Sequence, residues 1–215
     1  MRVVAGSIFL RVTDSRGVLQ YAPTMYYREE KNVEKTLQSE LIYGGRRIKL
    51  YRDEVELPSG KKTCREVVSH PGSVAVVPIV KEGEVLLIKQ YRYAIKGFIY
   101  EIPAGTLEKG ETPEQCAMRE MVEETGYLPR KLEKLGQFYP SPGVMNELMH
   151  LYKASQLVGR VPEIGTPTRE ESIEQVVTLR LSQAVDMIRK GEIVDGKTIC
   201  GLLWVVFGTP KVEQY

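Results

Sequence analysis

The stretch that most constrains this chain is Gly105–Tyr127, GTLEKGETPEQCAMREMVEETGY. It passes from a glycine loop through Glu111 into a segment that packs Arg119, Glu120, Glu123 and Glu124 together. The segment carries its own helix signals. Thr112 is a good N-cap, Pro113 takes the first helical position, Gln115 completes a T-x-x-Q capping box, and Gly126 is placed to end the helix. Met118, Met121 and Val122 supply an apolar stripe. Glu120, Glu123 and Glu124 stand at i, i+3 and i+4, so their carboxylates share the other face. Like charges at that spacing destabilise a bare helix and call for a cation. A hard divalent ion such as Mg²⁺, held by carboxylate oxygens and shared with substrate phosphates, answers that demand. The plain alternative is a solvated acidic face balanced by lysines.

Composition narrows the surroundings of this helix. The 215 residues can build one substantial core or two modest domains, and 42% hydrophobic with 27% charged residues is ordinary for a globular protein. A net charge of +2, with no basic run interleaved with aromatics, gives no strong field for nucleic acid. Cys64, Cys116 and Cys200 are widely spaced and odd in number, which argues against a disulfide framework and a zinc cluster. With only His70 and His150, histidine-rich metal sites are disfavoured too. The apolar start is interrupted by Arg11, and the late run Leu202–Phe207 is far shorter than the roughly 20 residues of a membrane span. A cytoplasmic protein that contacts no membrane is expected.

The order of elements can be read around the helix. Ser7–Val12 and Val18–Tyr21 suggest a hairpin, so residues 1–38 read as an extension of hairpin and linker. From Ser39 the pattern is β alternation: Ile48, Leu50, Val55 and Leu57 fall in two strand-like runs, and Cys64–Ser69 continues after the turn PSGKK. Residues 39–71 therefore form a small antiparallel sheet, too small to be stable alone, and a homodimer follows naturally. Residues 72–215 hold the main domain. Ser73–Val80 and Val85–Tyr91 read as strands, Ile99–Ile102 as a third, and Leu135–Tyr139, Leu148–Ala154 and Ile173–Leu179 as later ones. Helices are expected over Ser182–Arg189 and Lys197–Phe207.

Gly105, Glu111, Arg119, Glu120, Met121, Glu123, Glu124 and Gly126 fall in register with the pattern G-x5-E-x7-R-E-U-x-E-E-x-G-U, and the stretch resembles the Nudix box. Tyr127 alone departs, being aromatic where an aliphatic residue is usual. The preceding EIPAG, the QYR nine residues ahead of Glu101, and Pro142 in FYPSPG, sixteen residues after Gly126, resemble the ADP-ribose pyrophosphatase branch of that family. The likeness covers about Ser39 to Phe207. It implies a Nudix α/β/α sandwich with a mixed sheet, preceded by a small antiparallel β domain that helps build a homodimer.

The resemblance also assigns roles. Ala104 would lend a backbone carbonyl to the metal, Glu120 and Glu124 would be the main ligands, and Glu123 would assist. Arg119 would orient the box carboxylates, Glu111 would pin the loop, and Gly105 and Gly126 would serve the backbone. The general base is expected from the loop before the late strand, where Glu171 is favoured over Glu170. Arg92 is a candidate phosphate ligand, since a guanidinium binds phosphate in a bidentate way; a surface arginine at a strand end is the alternative. Glu66 and Glu101 occupy positions expected to face the nucleoside, and Arg65 is a further substrate-binding candidate. The implied activity is Mg²⁺-dependent hydrolysis of ADP-ribose to AMP and ribose 5-phosphate, with Mn²⁺ as a substitute metal. A GDP- or UDP-hexose as the substrate, and a non-catalytic ADP-ribose sensor, are the competing expectations.

Overall fold

A computed structural model describes residues 12–13, 19–20, 33–159 and 173–209. Two short strands, β1 (Val12–Thr13) and β2 (Leu19–Gln20), pair antiparallel. The expected strand Ser7–Val12 lies otherwise outside the described residues. Next come β3 (Lys35–Gly44), β4 (Lys49–Glu56) and β5 (Lys62–Ser69), which make a three-stranded sheet in that order. Connections this short can only join antiparallel neighbours. β3 is exposed along nearly its whole length, and it leaves Leu37, Leu41, Ile42 and Tyr43 in solvent.

Among the described residues, those up to Ser39 together with Asp53–Arg65 form one compact unit. Glu40–Arg52 and the residues from Glu66 onward form the other. The second unit holds β6 (Ser73–Lys81), β7 (Glu84–Arg92), β8 (Gly97–Glu101), β9 (Ala104–Thr106), α1 (Pro113–Thr125), β10 (Leu128–Phe138), β11 (Met149–Val158), β12 (Ile173–Arg180), α2 (Leu181–Arg189) and α3 (Gly196–Phe207). The strands form a mixed sheet in the order β10-β11-β6-β7-β12, with β8 added to β7 and β9 to β6. Only β11 and β6 run parallel; the other pairs are antiparallel.

β6 explains the layering. Its run SVAVVP is buried on both faces, and the two-residue period divides it. Ala75 and Val77 join Leu151, Ala184 and Leu202 in a core beneath α2 and α3. Val74 and Val76 join Cys116, Ala117, Met121, Tyr152 and Ala154 in a second core beneath α1. Each fully buried valine contributes on the order of 1.5–3 kcal/mol, so Val74, Val76 and Val77 anchor both helix layers to one strand.

Local signals were sufficient for α1. Thr112 accepts a hydrogen bond from the Gln115 amide, the Gln115 side chain accepts from the Thr112 amide, and Gly126 caps the end at φ 75°. Three details differ from the sequence reading. The helix packs on the sheet through Cys116, Ala117 and Met121, while Met118 is only half-buried. β10 begins at Leu128, not Leu135, because PRKLEK belongs to an edge strand whose few inward residues, Pro129 and Leu132, make no apolar run. β9 has no sequence signature of its own; it exists because Ala104 and Gly105 pair with Ala75 and Val74.

Candidate active site

The site is built where β9 meets α1. Glu120 and Glu124 point toward the sheet, not into solvent, and are only 5% and 4% exposed. Glu124 accepts a hydrogen bond from the Ala104 amide at 2.9 Å. Glu120 lies against Gly105 so closely that a Cβ at residue 105 would sit 1.7 Å from its Oε1. Glycine is therefore required there by close approach of a carboxylate to the backbone, not by an unusual φ. Ala104 and Gly105 are held in turn by β6, and Leu107 donates to the Gly72 carbonyl at 3.1 Å.

Arg119 is the hub on the outer side. Its Nε and Nη2 donate to Glu111 at 2.8 and 3.0 Å, and its Nη1 donates to Glu120 at 2.7 Å and to Glu123 at 3.1 Å. Nη2 also reaches the Thr106 carbonyl at 3.3 Å. One guanidinium thus offsets three carboxylates that would otherwise repel one another. Glu111 accepts in addition from the Glu108 amide, which ties the glycine loop to the helix. The Arg119 hydrogen bonds hold the Glu111 carboxyl at about 2, against an ordinary 4.5, and the same bonds raise Arg119 further. Burial pushes the Cys116 thiol up, so it stays protonated beside Arg119.

Arg92, at the end of β7, faces the same corner. Its Nε donates to both oxygens of Glu101, at 2.9 and 3.0 Å, and Nη2 donates to Glu101 as well. Burial works against its charge, yet the Glu101 bonds, with Glu124 and Asp195 nearby, raise its pKa overall. Glu101 is 1% exposed and also meets Lys197 at 3.3 Å. Glu66 is exposed on β5 and makes no hydrogen bond to the carboxylate cluster among the described residues. Arg65 is exposed and bound to Glu34. Glu170 and Glu171 lie outside the described residues.

The oxygen donors at the corner suit a hard divalent cation. Glu120 and Glu124 present carboxylates against the Ala104–Gly105 backbone, and the absent Cβ at Gly105 gives the Glu120 carboxylate its room there. Among the described residues, no three acidic, histidine or cysteine side chains are gathered tightly enough to hold an ion as they stand, and Arg119 bonds Glu120 and Glu123.

Sequence reasoning missed Asp195, Lys197 and Thr198 at the start of α3, and Glu147 after the PSPG loop, which accepts from Ser73 Oγ at 2.6 Å. Asp195 carried a weak signal as an N-cap two residues ahead of a Lys-Thr pair.

Residues 69–201 match the family described as NUDIX domain. The chain is 44% identical over 165 residues to an ADP-ribose pyrophosphatase of Bacillus subtilis (strain 168), a match covering 77% of this chain and 88% of that one. It is 41% identical over 172 residues to a methanol dehydrogenase activator of Bacillus methanolicus, covering 80% and 92% respectively. A solved ADP compounds hydrolase has the same fold, with a TM-score of 0.70 at 19% identity over 81% of this chain and 92% of that one.

Proposed function

The chain belongs to the Nudix family, and from that premise we propose that it hydrolyses the diphosphate bond of ADP-ribose, releasing AMP and ribose 5-phosphate. The observation that carries the reading is the Ala104–Gly105 corner, where Glu120 and Glu124 converge with Arg92 close by. The ADP-ribose pyrophosphatase relative, matched over most of both chains, supports the choice of substrate.

Nudix hydrolases generally need a divalent metal, and Mg²⁺, with Mn²⁺ as a substitute, is the ion proposed here. When bound, such an ion polarises phosphoryl oxygens and makes bound water a stronger nucleophile. The protein's part is to hold and aim. Glu120 and Glu124, with Glu123 and the Ala104 carbonyl, would hold the ion. Arg119 keeps Glu120 and Glu123 in register on the helix face. Arg92, already fixed on Glu101, would bind a diphosphate oxygen. Glu171, or its neighbour Glu170, would take the proton from the attacking water. Glu66 and Arg65 are each proposed as substrate ligands, whereas Glu101, 1% exposed with both oxygens held by Arg92, would act on the substrate only through Arg92.

Residues 39–71 are proposed as a dimerisation domain, 1–38 as an extension and 72–215 as the catalytic domain. A homodimer would cover the apolar side chains that β3 exposes. A cytoplasmic location is proposed, and no described helix is long and apolar enough to cross a membrane. The test is release of AMP from ADP-ribose by purified protein with Mg²⁺, set beside GDP-mannose, UDP-glucose, diadenosine polyphosphates and NADH. A marked preference for ADP-ribose supports the proposal, and preference for a GDP- or UDP-hexose overturns the substrate.

A further inference from the structure

The buried polar chain behind Arg92 has a second cation that the reaction as drawn does not use. Glu101 is surrounded by Arg92 on one side and Lys197 on the other, with Lys197 Nζ 3.3 Å from Oε1. Lys197 is itself mostly buried and lies 3.0 Å from Asp195. Asp195 is locked as the N-cap of α3: its Oδ2 accepts from the Thr198 amide at 3.0 Å and from Thr198 Oγ1 at 2.6 Å. Thr198 Oγ1 accepts from the Ile102 amide at 2.9 Å, so the start of α3 is bonded to the segment that leads into β9. The result is a row of alternating charge, Arg92, Glu101, Lys197, Asp195, anchored on a helix end.

The geometry at Arg92 gives the row a purpose. The guanidinium spends its Nε and Nη2 edge on Glu101, while its Nη1 makes no hydrogen bond among the described residues and the side chain stays 36% exposed. A buried carboxylate with one cation for company draws that cation's charge onto itself, and a second cation relieves the draw. We propose that Lys197 is a positioning residue for the substrate diphosphate. By sharing the charge of Glu101, it leaves Arg92 pinned by one edge and electropositive at the other, where a phosphoryl oxygen binds. This inference rests on the diphosphate-hydrolase reading above.

The test is steady-state hydrolysis of ADP-ribose with Mg²⁺ by wild type, Lys197→Gln, Lys197→Arg, Arg92→Ala and the Arg92→Ala/Lys197→Gln pair, with thermal midpoints measured alongside. Lys197→Gln keeps a polar side chain but removes the charge. It is expected to raise KM roughly tenfold with kcat within about twofold, the pattern of lost uniform binding. Lys197→Arg should restore most of the loss. In the Arg92→Ala background, Lys197→Gln should change KM less than about twofold, since its effect runs through Arg92. Should Lys197→Gln fail to fold, Asp195→Asn combined with Lys197→Gln removes a cation and an anion together, and the same rise in KM is expected. An unchanged KM, or an effect that multiplies fully onto that of Arg92→Ala, overturns the role of Lys197. Wild-type protein that hydrolyses no diphosphate overturns the underlying reading instead.

Discussion

At the scale of single residues the site depends on one absent methyl and two neutralising cations. Gly105→Ala would drive a Cβ into Glu120, so turnover is expected to fall about 100-fold or more, as a displacement of about 1 Å can cost that much. Glu124→Gln should cost at least as much, because Glu124 both bonds the Ala104 amide and is a proposed metal ligand. A variant with near wild-type kcat would remove that assignment. Glu111 supplies a pH signature. Its folded pKa, about 2, lies below the ordinary 4.5, so the stability from its Arg119 bonds is fully present above about pH 4.5 and disappears as pH falls toward 2. The gap in thermal midpoint between wild type and Glu111→Gln should therefore close over that window. Box residues were legible in the sequence because their spacing is short and regular. Lys197 was not, because its partner Glu101 lies far away in the chain and only the sheet brings the two together.

At the scale of elements, local physics decided what could be foreseen. α1 holds its N-cap, capping box and glycine stop within its own few residues, so its limits were plain. Thr112→Ala should lower stability by about 1 kcal/mol, read as a lower denaturant midpoint at constant slope, with little loss of turnover at saturating substrate. β9 and the first half of β10 depend on partners remote in sequence, β6 and β11, and so left no periodic trace. The alternative of a solvated acidic face fails at two of its three carboxylates: Glu120 and Glu124 are buried because a glycine strand and an amide meet them there. Buried carboxylates of this kind need compensation, and Arg119 and the β9 backbone provide it.

At the scale of the whole molecule, the mixed sheet with α1 on one face and α2 and α3 on the other accounts for where the proposed site lies, at the corner between β9 and α1. The leading sheet exposes apolar side chains on β3 that the proposed homodimer would cover. If the proposed homodimer pairs through β3, a protein with Leu41→Asp and Ile42→Asp is expected to sediment at half the mass of the wild type, and an unchanged mass would remove β3 from that interface. The intact box carboxylates argue against a sensor that binds without turnover, and the substrate rests on residues outside the box. The most direct measurement is the nucleoside monophosphate released from the substrate panel by purified protein, with Mg²⁺ and then with excess chelator. The account predicts AMP from ADP-ribose, faster than from any other compound tested, and its loss when the metal is removed. No release from any diphosphate, or release indifferent to the chelator, would contradict it.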